Sequence, residues 1–77
     1  MYKYTICNMP DDEIFYKQCK AIEKKVPIKS RMTLLEDVDG SMFQGYEVDG
    51  GKVTVINSHY IGYVGVESDV ELEQYFK

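Results

Sequence analysis

The chain has 77 residues, 44% of them apolar, and a net charge of −4, which suits one small domain (1–77) and is too short for two. Such an apolar content excludes a disordered chain, and two cysteines exclude a disulfide framework. No run is apolar for long enough to predict a secretory leader or a membrane span, so the expected setting is cytoplasmic with no membrane partner.

The charge is segregated along the chain. Residues 1–31 carry seven Lys and Arg against four carboxylates, a net of +3, whereas residues 32–77 carry two against nine, a net of −7. Such polarity speaks to partners and association rather than to fold.

Residues 2–7 alternate as a strand, with Tyr2, Tyr4 and Ile6 on one face and Lys3, Thr5 and Cys7 on the other. Asn8 to Asp11 is a break, and a helix is predicted over residues 10–25 with Pro10 in its first turn. Asp11, Asp12 and Glu13 suit the positive end of its dipole. Phe15, Cys19, Ile22 and Val26 form its apolar stripe, Lys17, Lys20 and Lys24 lie opposite, and Pro27 ends it. Helix rise carries Cys19 well away from Cys7, so both thiols are expected to be free and mostly buried.

Beyond Ser30 the period changes to two. Asp39-Gly40 and Asp49-Gly50 are hairpin turns ten residues apart, and Asn57-Ser58-His59 is a third break. Four antiparallel strands follow, over about 31–38, 41–48, 52–57 and 60–66. A tight turn at Asp49-Gly50 pairs Glu47 with Lys52 and Tyr46 with Val53. That register puts Leu35, Met42, Tyr46, Val48, Val53, Val55, Val64 and Val66 on the face that meets the helix. Phe43, Ile56, Ile61 and Tyr63 then lie on the other face beside Glu47, Lys52 and Thr54. Ser68 and Glu71 have the spacing of a capping box, which predicts a short helix from Ser68 to Phe76. The fold class is thus α+β, in the order β-α-β-β-β-β-α, with a mostly antiparallel sheet.

Chemical motifs are weak. His59 is the only histidine and falls in a turn, with no nucleophile placed for it by spacing. The Asp37 to Ser41 run fails as a calcium loop, because loop positions six and twelve hold Met42 and Val48. Two distant cysteines and one histidine have no zinc spacing, and Gly62 to Gly65 is too short for a dinucleotide loop. The helix lysines are explained by dipole and i,i+4 pairing, and the acidic balance argues against nucleic acid as a partner. No catalytic residue, metal ligand or cofactor is assigned.

The leading reading is a non-catalytic interaction protein that binds a larger protein. In one form it is an inhibitor whose carboxylates imitate phosphates and enter the basic groove of a nucleic-acid-handling enzyme. The expected contact residues are Phe43, Ile56, Ile61 and Tyr63, with Glu67, Asp69, Glu71 and Glu73. The four apolar groups need cover from the C-terminal helix, from a partner, or from a second copy in a homodimer. The alternative is a small-ligand-binding or nucleic-acid-binding domain.

Overall fold

The computed structural model describes residues 1–76. Its strands are β1 (Tyr2–Cys7), β2 (Ile28–Arg31), β3 (Leu35–Glu36), β4 (Met42–Val48), β5 (Gly51–Ser58) and β6 (Tyr63–Ser68). The helix α1 spans Asp12–Lys25, and a 3-10 turn at Glu73–Tyr75 comes last. All strands join one antiparallel sheet in the order β1-β6-β5-β4-β2, with β3 also paired to β4. The class is α+β, as the sequence pattern predicts.

The helix starts at a cap rather than at Pro10. Asp11 is extended (φ −156°, ψ 111°), and its carboxylate accepts the Ile14 amide at 3.0 Å. Pro10 therefore precedes the cap instead of filling the first turn. At the other end the Val26 amide still bonds to Ile22, and Pro27 has no N–H with which to continue. Phe15, Cys19, Ile22 and Val26 pack on Met42, Tyr46, Val48, Val53, Val55, Val64 and Val66, so the predicted stripe and strand face do meet. The pairs Glu47–Lys52 and Tyr46–Val53 are also present, across a turn in which Gly50 has φ +88°.

Two buried polar side chains fasten α1 to the sheet. Asn57, on β5, has no exposed surface; its Oδ1 accepts the Asp11 amide at 3.1 Å and its Nδ2 donates to Asp12 at 2.8 Å. Tyr46, on β4, donates its hydroxyl to Glu23 at 2.6 Å, near the other end of the helix. Arg31 approaches the same carboxylate at 4.0 Å. Each buried polar atom thus finds a partner, and together they set where the helix lies.

Three predicted elements are corrected. The strand over 31–38 is two strands, because pairing with β4 slips by one residue between Ile28 and Ser30 and again between Arg31 and Leu35. The chain leaves the ladder between them, and buried Gln44 fills the gap by donating to Met32 O at 2.6 Å. A one-residue slip reverses the faces, so Leu35 sits opposite Phe43, 62% exposed, and is not on the helix side. The last strand begins at Tyr63, not at residue 60, because residues 59–62 form a turn in which Ser58 accepts the Ile61 and Gly62 amides.

The capping box at Ser68 does not open a helix. Asp69 stays tied to β5, its amide donating to Lys52 O at 3.0 Å and its carboxylate accepting the Lys52 amide at 3.1 Å. Ser68 instead bonds to Val70, and Glu71 accepts the Gln74 amide. The segment then folds toward α1: Leu72 is buried in the core and donates its amide to the Tyr4 hydroxyl at 3.1 Å. The face opposite the helix is left without that cover.

A bulge at Ile6 turns Cys7 toward the core opposite Val64, rather than away from it as simple alternation predicts. Both cysteines are free; Cys19 is buried and Cys7 half-buried. Burial is the main cause raising the Cys19 thiol pKa.

Ile22 has no exposed surface, and Ile22→Ala should lower stability by about 2–5 kcal/mol in urea denaturation. Burial, followed by the Glu23 hydrogen bond, raises the Tyr46 pKa. The unfolded phenol loses its proton near pH ~10 while the folded one keeps it. Stability should therefore be intact below about pH 10 and fall as pH rises beyond it. Tyr46→Phe should make that decline shallower in the same denaturation series.

Candidate functional site

On the face away from α1, β4, β5 and β6 bring Phe43, Ile56 and Tyr63 side by side. Phe43 and Ile56 are direct cross-strand neighbours, and Ile56 is paired in turn with Gly65. The turn after β5 adds Tyr60, 90% exposed, and Ile61, 73% exposed. These groups line a shallow dish of about 420 Å³, with Asp37, Asp39, Ser41, Ser58 and Glu67 around them.

Gly65 is what lets the dish form. A Cβ built there would stand 2.5 Å from Cε2 of Tyr63 and 2.9 Å from the backbone oxygen of Tyr4. The Tyr63 ring thus lies over β6 in the space a side chain at position 65 would take. Burial first, then the charge of Glu67, raises the Tyr63 phenol pKa. Tyr63 and Glu67 therefore share one environment at the β6 side of the dish.

The opposite rim comes from the turn before β4. Asp37 accepts the Val38 amide at 2.7 Å, and Asp39 accepts the Ser41 amide at 2.9 Å. The bond from the Ser41 amide is the main cause lowering the Asp39 pKa, so this carboxylate holds its charge. The two turns at this end of the sheet are joined: the His59 amide donates to Ser41 Oγ at 2.8 Å. His59 Nε2 lies 4.0 Å from Asp12. The nearby hydroxyls of Ser41 and Ser58 accept backbone amides, and the geometry forms no nucleophile–base pair with His59.

Of the contact residues expected from the sequence, Phe43, Ile56, Ile61, Tyr63 and Glu67 come together in the dish. Asp69, Glu71 and Glu73 do not. Asp69 serves the β4–β5 hairpin, Glu71 holds the Gln74 amide, and Glu73 borders a groove on the α1 side. Asp37, Asp39 and Tyr60 were not foreseen as neighbours. The signal was present: the Asp37–Gly40 turn precedes β4 and the His59 turn follows β5, so a β4–β5 hairpin must bring both to the same end.

Among the described residues, no group of three or more His, Cys, Asp or Glu is disposed to hold a metal ion. Among the same residues, no helix is long and apolar enough to cross a membrane. On α1, Lys17 pairs with Glu13 at 3.3 Å, as the i,i+4 spacing predicts.

Gly65→Ala should cost about 1–3 kcal/mol by overpacking. The penalty should shrink in a Tyr63→Ala background, because the ring is one of the two obstacles. A double-mutant cycle on melting curves measures that coupling.

No protein-family model matches this chain, and comparison with curated proteins and with solved structures returns no match.

Proposed function

We propose that the chain is a non-catalytic protein-binding module that docks through the open sheet face. The observation that carries this reading is the dish itself: aromatic and aliphatic side chains in the centre, with Asp37, Asp39 and Glu67 at the rim and no cation among its lining residues. An apolar centre within a charged rim is the anatomy of a binding surface. Its complement is a larger protein presenting Arg or Lys, whose stems pack on Phe43 and Tyr63 while the cationic heads meet the carboxylates.

The acidic rim favours a different protein over a second copy at this face, since two stacked dishes would bring like charges together. Proteins that handle nucleic acids carry suitable basic grooves, so inhibition by occupying such a groove is the form the reading takes. Two free cysteines suit a reducing compartment such as the cytoplasm.

Photocrosslinkers placed singly at Phe43 and Tyr63, with Lys20 on the outer side of α1 as the control, test the assignment in the host cell. The expected result is one basic partner captured from positions 43 and 63 and not from 20. With that partner purified, the neutralised variant Asp37→Asn, Asp39→Asn, Glu67→Gln should associate several-fold more slowly at low salt, with the difference shrinking as salt rises. Capture from position 20 alone, or an unchanged on-rate, would overturn the proposal.

A further inference from the structure

We propose that two copies of the chain pair edge to edge through β1, as antiparallel strands that continue one sheet. The β1 edge adjoins the dish where Lys3 and Thr5 meet Tyr63 and Glu67, but the backbone groups invoked lie outside the dish, and the inference does not rest on the function proposed above.

The two edges of the sheet differ. The β2–β3 edge carries two register slips and leaves the ladder after Met32, whose amide still donates to Gly45 O at 3.0 Å. In contrast, β1 pairs regularly with β6 from Tyr2 to Thr5 and meets a bulge only at Ile6. Which of its backbone groups point outward follows from alternation along antiparallel ladders. The tight turn makes Val48–Gly51 a hydrogen-bonded pair, so Val53, Val55 and Asn57 also bond to β4. Lys52, Thr54, Ile56 and Ser58 then bond toward β6, and the Asp69 amide on Lys52 O agrees with that phase. Val66 and Ser68 remain to bond Tyr4 and Tyr2. The N–H and C=O groups of Lys3 and Thr5 therefore face outward, and among the described residues neither has a hydrogen-bond partner there.

A second β1 satisfies these groups in one symmetric register. Lys3 lies opposite the partner's Thr5, and Tyr4 opposite the partner's Tyr4. The two Lys3–Thr5 pairs then exchange backbone hydrogen bonds on either side of the axis. The register shifted to place Lys3 against the partner's Lys3 sets like charges face to face and is disfavoured. In the favoured register Tyr2 falls beside the partner's Ile6. These are the half-exposed apolar groups of β1, at 45% and 43%, and each covers the other.

An apolar groove marks the same edge. Tyr4, Ile6, Ala21, Leu72 and Phe76 line about 330 Å³ between β1, α1 and the C-terminal segment. Because Ile6 is at its border, the partner's Tyr2 arrives at its mouth, with an aromatic body for an apolar space. On the opposite face Lys3 is the cross-strand neighbour of Glu67 in its own chain, so its charge does not stand alone against the approaching copy.

Sedimentation equilibrium of the full chain over a range of concentrations should show a monomer–dimer exchange. In Thr5→Pro the lost N–H is one that faces outward, so the internal ladder keeps its bonds. That variant should keep its circular dichroism and melting temperature yet stay monomeric where the wild type is dimeric. Thr5→Lys places a cation against the partner's Lys3 twice and should weaken the dimer about tenfold, whereas Thr5→Glu should tighten it several-fold. A wild type that remains monomeric at high concentration overturns the proposal, as does a folded Thr5→Pro that still dimerises. Thr5→Lys and Thr5→Glu decide the matter if the proline variant fails to fold, because equal effects from both contradict the register.

Discussion

The fastening of α1 by Asn57 and Tyr46 is the constraint on which the rest of the molecule depends. Burial alone would let an apolar stripe slide or rotate over a valine-rich surface, since the hydrophobic effect has no direction. Hydrogen bonds do have direction. Asn57 holds the amino end of the helix above β5, and Tyr46 reaches Glu23 from β4. With both ends held, one sheet face is committed to the core. The C-terminal segment joins that side through Leu72, and among the described residues no further element covers the opposite face. The open dish is thus a consequence of where a short chain places its one long amphipathic segment.

How much of this the sequence reveals depends on how local the cause is. The helix stripe, the Asp49-Gly50 register and the core residues were legible because each rests on a period or a turn readable within a few residues. The split of residues 31–38 was not, because it rests on Gln44, twelve residues from its bonding partner Met32. The C-terminal helix failed for the same kind of reason. Ser68 and Glu71 have capping geometry only if Asp69 is free, and β5 holds it. Tertiary pairing overrode a sound local signal.

The site was legible to a similar degree. Alternation placed Phe43, Ile56 and Tyr63 on one face without help from three dimensions. Ile61 reached the same dish by another route, from a turn rather than from a strand. Glu67, Asp69, Glu71 and Glu73 stand two apart and would share a face on one continuous strand, but β6 ends at Ser68, and beyond it the chain turns and sends Asp69, Glu71 and Glu73 to other tasks. The carboxylates that border the dish at its far end are Asp37 and Asp39, and a turn brings them there. Charge segregated along a chain is therefore not charge segregated in space.

The pairing of Tyr2 with Ser68 bears on how the chain reaches this state. The β4–β5 hairpin closes across a tight turn, whereas β1 must find β6 across nearly the whole chain. A loop roughly thirtyfold longer costs about 3 kcal/mol more in closure entropy by the logarithmic law. The hairpin can therefore form early, and β1 docks only after β5 has recruited β6. During synthesis β1 emerges well before β6, so it waits through the making of α1 and the four intervening strands for its place in the sheet.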